Sequence, residues 1–213
     1  MNYGDVKEIM SSYTTERGKG ASCRELIIQQ GCLVGLERET RAFFNLFDPI
    51  FSLQSGCSHE KGHHYGFNGL ITHTWEVISL CSNTADFYKW DTSKPIDYVE
   101  LFLSALFHDV GKCRDYEFPS DDSPTFTSSA HKRTIHHISR SAIEWEKFAE
   151  QETLFDTKFV HRVTHNILSH HGQRQFGSPV APLSREAWIL HLCDNISARV
   201  DDCDRLDLIQ IKT

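Results

Sequence analysis

A chain of 213 residues has room for one well-buried core and falls short of two independent domains. Hydrophobic residues at 39% and charged residues at 24% are ordinary for a globular fold and exclude a low-complexity or fibrous chain. A formal charge of −7 excludes the broad basic surface that long duplexes require, and the absence of any run near the roughly 18 apolar residues that span a bilayer argues against a membrane partner. The N-terminus lacks the charged-then-apolar build of a secretion signal, so the expected location is the cytoplasm. The cysteines, 7 in number, are scattered and never form C-x-x-C, which predicts free thiols.

Apolar residues from Ser22 to Gln54 recur at helical spacing and predict two helices, with breaks near Gly31 and Pro49. A loop rich in Gly, Ser and His follows from Ser55 to Asn68, and the stripe Leu70, Ile71, Trp75, Val77, Ile78 and Leu80 predicts a helix from Gly69 to about Lys89. After a break over Asp91 to Pro95, the run from Val99 to Phe107 is apolar nearly all round, as a central buried helix must be, and it ends at His108-Asp109-Val110-Gly111-Lys112. Cys113 to Lys132, with two prolines and many serines, reads as a long surface loop carrying a short extended piece at Thr125 to Thr127. Helical period returns over Thr134 to Gln151 and Phe159 to His171, then again after a loop from Gly172 to Pro182, where Ser184 is the expected N-cap of a last helix reaching Val200. No alternating pattern of any length appears, so the fold class is all-α.

Histidine stands out at 13 residues, and histidine is the commonest metal ligand. The helical map spreads His73, His108 with Asp109, His137, His170 with His171, and Asp194 over five predicted helices. Adjacent helical residues lie about 100° apart, so His108 and Asp109 share a buried helix end only if that end meets a polar cavity. A buried ionised aspartate costs several kcal/mol unless it is paired or bound to a metal, and Asp194, one turn from core residues, meets the same cost. A mixed imidazole and carboxylate set suits manganese, iron, zinc, nickel or magnesium, and a shared Asp109 would hold two such divalent ions for phosphoryl chemistry.

This order of His, His-Asp, His, His and Asp resembles the HD superfamily of metal-dependent phosphohydrolases. Ala105-Leu-Phe-His-Asp-Val-Gly-Lys112 is similar to its central motif. Within the superfamily, the segments His63 to Thr74, Thr125 to Thr127 with His137-Ile138, Leu168 to Pro179, and Glu186 to Asn195 resemble the catalytic domain of YhaM-type 3′-to-5′ exoribonucleases. The resemblance implies an HD-domain helical bundle over residues 56–203, preceded by a helical extension over 1–55 and followed by a tail over 204–213. Three departures accompany it: His136 stands where that family tends to have glycine, Ser197 where it tends to have aspartate, and the N-terminal segment does not look like the OB-fold that usually precedes the HD domain.

The implied activity is metal-dependent hydrolysis of phosphate esters in nucleotides or short single-stranded nucleic acid, with Asp109 and Lys112 as catalytic residues. Lys112 would neutralise charge growing on the phosphoryl oxygens. His64, His131 and Arg174, in loops flanking the ligands, are the expected substrate contacts, and Phe67, Phe126 and Phe176 in the same loops could stack on a base. The rival readings are a diiron oxygenase and a non-catalytic nucleotide-binding module. Lys112, in place of another histidine, and the intact ligand set favour hydrolysis. Oligomeric state is left open.

Overall fold

The structure, a computed structural model, describes residues 14–90, 93–151 and 154–205, and the expected tail beyond residue 205 lies outside them. It is helical, as the periodicity predicts: α1 (Thr14–Leu33), α2 (Glu37–Phe47), α3 (Ile50–Leu53), α4 (Gly69–Phe87), α5 (Tyr98–Phe107), α6 (Lys112–Asp115), α7 (Ala130–Thr134), α8 (His137–Gln151), α9 (Thr157–Ser169) and α10 (Arg185–Arg205). No described helix is long and apolar enough to cross a membrane. All the described cysteines are free thiols.

Helix α5 is the axis of the bundle. Asp97 caps it by accepting the Glu100 backbone N–H at 3.0 Å, and every residue from Glu100 to Phe107 is buried. It packs against α4, α8, α9 and α10. The one acid inside, Glu100, accepts from Arg162 at 2.6 Å and Asn166 at 2.9 Å, which satisfies its carboxylate and ties α5 to α9. Phe43, Phe44, Phe51, Phe107 and Trp145 meet edge to face, and they bring the N-terminal helices into the same core as α5 and α8.

Two expectations change. Helix α1 runs through Gly31, because a Cβ there would lie 2.2 Å from the Thr40 hydroxyl, so glycine marks the close crossing of α1 and α2. The turn itself falls at Gly35, at φ +78°. The stretch from Cys113 to Lys132 is no plain surface loop: it holds α6, α7 and a two-stranded antiparallel ribbon, β1 (Tyr116–Glu117) and β2 (Thr127–Ser128), with Tyr116 opposite Ser128. The extended piece thus sits slightly later than predicted. Phe118 and Phe126 join Leu53 and Tyr116 in a second apolar cluster with Tyr65 and Phe67 against it, which is what the sequence pattern of serines and prolines concealed. Ser184 caps α10 as expected, accepting the Ala187 N–H at 3.0 Å.

Candidate metal centre

The ends of α5, α8 and α9 and the middles of α4 and α10 converge on Asp109, which is buried. Gly111 makes this closure sterically feasible, since a Cβ there would lie 2.3 Å from the His137 carbonyl. The two oxygens of Asp109 face different sets of side chains. Oδ2 lies 3.4 Å from His73 Nε2, 3.3 Å from His108 Nε2 and 2.7 Å from the Lys112 ammonium. Oδ1 lies 3.5 Å from His137 Nε2 and 3.7 Å from His170 Nε2. Asp194 completes the first set, its Oδ1 3.1 Å from His73 Nε2 and 3.9 Å from His108 Nε2, and His171 groups with His137 and His170 in the second.

Hydrogen bonds at the far side of each ring decide its tautomer. His108 Nδ1 donates to the Ala105 carbonyl at 2.7 Å, His170 Nδ1 to the Ile167 carbonyl at 2.6 Å and His171 Nδ1 to the Phe176 carbonyl at 2.7 Å. His137 Nδ1 donates to Asp115 Oδ2 at 3.1 Å. The Ser197 hydroxyl donates to Glu76 at 2.8 Å, so its oxygen is left to accept from His73 Nδ1 at 2.9 Å. Each acceptor fixes a ring proton on Nδ1 and, for His73, His108, His137 and His170, leaves Nε2 facing Asp109, the arrangement in which imidazoles ligate metals.

On the Oδ1 side the facing atoms lack partners of their own. Asp109 Oδ1, His137 Nε2 and His170 Nε2 are buried without a hydrogen-bond partner, while on the other side His73 Nε2 lies 3.3 Å from His108 Nε2 and 3.1 Å from Asp194 Oδ1. Buried polar atoms are almost always satisfied, and acceptors gathered in this way are what a bound cation would satisfy. The donor set fits divalent-metal binding: His73, His108 and Asp194 could hold an ion beside Asp109 Oδ2, and His137, His170 and His171 could hold one beside Oδ1.

Electrostatics agree with the geometry. Burial alone would depress His73, but its bonds to Asp109 and Asp194 push it up to about 9. Burial holds His137 down at about 4 and His171 at about 3, which keeps both rings neutral. Burial opposes ionisation of Asp109 and Asp194 too, yet Lys112 and His108 at the former and His73 at the latter hold both carboxyls below the usual carboxylate range.

The expected substrate contacts are placed differently from one another. His64 is buried, with Nε2 3.0 Å from Glu76 and its backbone N–H donating to Asp201, and its bonds run into the protein. His131 donates from Nδ1 to Asp115 at 2.7 Å and accepts at Nε2 from Arg140 at 3.1 Å, so both ring nitrogens are engaged. Arg174 lies exposed on the turn after His171. Of the three loop aromatics, Phe126 is buried in the second cluster, Phe67 packs on it, and Phe176 is exposed.

Sequence reasoning missed Asp115, which is fully buried between His131 and His137; its signal is the i+3 step from Lys112 along α6. It also missed Glu76, one turn after His73 on α4, which gathers Ser197 and His64. Ser197 thus serves as a hydroxyl link between His73 and a carboxylate. His136 sits at φ +69°, which explains why glycine is the easier residue there.

The HD-domain family profile matches residues 70–199, the span from α4 to α10 that carries these side chains. The chain belongs to the HD-domain family. It is 34% identical over 145 residues to 3′-5′ exoribonuclease YhaM of Bacillus subtilis (strain 168), covering 68% of this chain and 43% of that relative. It is 34% identical over 170 residues to the protein of the same name from Bacillus pumilus (strain SAFR-032), covering 80% and 50% of the two chains. For the Listeria innocua serovar 6a relative the identity is 32% over 172 residues, covering 80% and 51%. This HD-domain chain therefore spans about half the length of the curated relatives it matches. No solved structure matches it.

Proposed function

We propose that this chain is a metal-dependent phosphodiesterase that cleaves nucleotides from the 3′ end of short single strands, with Asp109 shared between two divalent ions. The observation that carries the reading is the split of the Asp109 carboxylate: two of the ligand imidazoles face Oδ2 and two face Oδ1, all with Nδ1 already donated elsewhere. The names that the relatives carry support the 3′-to-5′ direction and RNA as a substrate class.

Bound divalent ions would supply an acidified water as nucleophile and neutralise charge on the phosphoryl oxygens. Around them the chain has defined tasks. His73, His108 and Asp194 would hold one ion; His137, His170 and His171 would hold the other. Lys112, buried and 2.7 Å from Asp109, keeps a fixed positive charge beside the centre, where charge develops on the phosphoryl group. Asp115, itself braced by His131, orients His137, and Glu76 orients His73 through Ser197 while His64 anchors Glu76. His64 and His131 in this scheme brace the centre, and substrate contact falls to Arg174.

The test begins with chelated protein and returns manganese in steps. Turnover of bis(p-nitrophenyl) phosphate and stepwise shortening of 5′-labelled RNA and DNA single strands should appear together, and the Asp109→Ala variant should lose both. Equal rates for that variant and the unaltered chain would remove the hydrolase reading.

A further inference from the structure

We infer that the turn from Gln173 to Gly177 is a nucleobase subsite, where the Phe176 ring stacks on one base of the strand and the Arg174 guanidinium holds an adjoining phosphate. The inference rests on the function proposed above and names how its substrate is gripped.

Four observations point to it. Phe176 is 60% exposed and makes no ring contact among the described residues, so its ring face is open to a planar partner. The backbone beneath it is firmly closed: Phe176 N–H and Ser178 N–H donate to the Gln173 carbonyl at 3.0 and 3.3 Å, and Gly177 N–H donates to the Arg174 carbonyl at 3.0 Å. The carbonyl of Phe176 itself accepts from His171 Nδ1 at 2.7 Å, so the ring stands on the same residue that orients an imidazole of the centre. Arg174, exposed on this turn, makes no side-chain hydrogen bond or ion pair among the described residues.

The surroundings limit what can bind. A Cβ at Gly177 would lie 3.8 Å from both His136 Cε1 and His171 Nδ1, so the turn, His136 and His171 border one rim. Phe67 and Phe126 are committed to the second apolar cluster, which leaves Phe176 as the exposed aromatic of the three loop candidates. With a net charge of −7 the chain does not draw in polyanions at large, and local contacts must hold the strand. An aromatic face accepts any base, and a guanidinium pairs with phosphate oxygens in a forked geometry. A single ring beside the centre fits recognition of one base next to the scissile bond.

A substitution cycle tests the subsite. Single strands ending in an ordinary or an abasic 3′ nucleotide are offered to the unaltered chain and to Phe176→Ala and Phe176→Trp, with metal supplied. Loss of one stacked base corresponds to about 10- to 100-fold in kcat/KM. The unaltered chain and Phe176→Trp should show that preference for the ordinary end, carried by KM, and Phe176→Ala should show almost none. Arg174→Ala should flatten the salt dependence of log KM by about 0.7, the share of the single phosphate that its guanidinium neutralises. A Phe176→Ala enzyme that still discriminates against the abasic end as strongly as the unaltered chain overturns the subsite and leaves the hydrolase reading intact. An unaltered chain that shortens neither strand, while its metal content is normal, overturns both.

Discussion

The two halves of the centre share Asp109 but solve the burial problem differently. On the Oδ2 side, a second carboxylate from Asp194 and the Lys112 ammonium surround His73 and His108, and His73 is pushed up to about 9. That half can hold a proton where an ion would sit. On the Oδ1 side, His137, His170 and His171 face a single carboxylate oxygen, burial keeps His137 at about 4 and His171 at about 3, and three polar atoms are orphaned. Two carboxylates and an ammonium compensate the first half; in the second, burial keeps His137 and His171 neutral, while against burial the single Asp109 carboxylate raises only His170. Two carboxylates around a divalent ion bind it more strongly than one, so the Oδ2 half should fill first and release last.

The harshest test of this contrast is to remove what the halves share. Asp109→Ala takes the bridging carboxylate from both sides, and we expect at least a roughly 1000-fold loss of phosphodiesterase turnover together with near-zero metal content by elemental analysis, on the order of what removal of transition-state charge stabilisation costs. Substitutions confined to one half should separate them. Asp194→Asn should abolish the tighter of two binding events in a calorimetric manganese titration, and His170→Ala the weaker. If either variant removes both events equally, the halves are not independent and the contrast fails.

A smaller effect is expected one bond further out. Asp115→Asn leaves every ligand in place but weakens the acceptor that fixes His137 Nδ1, and such outer partners are worth about 10- to 100-fold in metal affinity. The loss should fall on the weaker event alone. Ser197→Ala is its counterpart on the other side, severing His73 from Glu76, and should weaken the tighter event alone. The same affinity loss at both events for either variant would show that outer bonds act on the whole centre.

What the sequence revealed of this arrangement follows from how far each residue lies from a regular element. His73, His108, Asp109, His137 and Asp194 were legible because they interrupt or end apolar helical stripes, where a polar residue must be explained. His170 and His171 close a helix with the same logic, and both rings turn inward. Asp115 and Glu76 were not, and Ser197 stood out only as a departure from the family pattern, because each is an ordinary polar residue on its own helix and acquires its role only from a partner 22, 121 or 124 residues away. The ribbon between Tyr116 and Ser128 was half legible, its second strand overlapping the extended piece expected at Thr125 to Thr127; strands of two residues give no periodicity, and the apolar cluster under them is made from aromatics separated by polar turns. Gly31 misled because glycine signals a break only when nothing packs against it.

The mildest test uses pH on the metal-free protein. His73 has a folded value of about 9 against an ordinary 6.5, so the stability it contributes is fully present below pH 6.5 and disappears as pH rises through about 9. With manganese bound, the ion takes the place of that proton and the dependence should vanish. Thermal melts of chelated protein at pH 6.5 and pH 9 should therefore differ by roughly 5 °C more than melts of loaded protein, given about 2–4 °C per kcal/mol for a chain of this size. His73→Gln should remove the excess slope in the chelated protein. Parallel pH profiles with and without metal would mean that the Oδ2 half is not held together by a proton, and that the two halves differ only in their number of carboxylates.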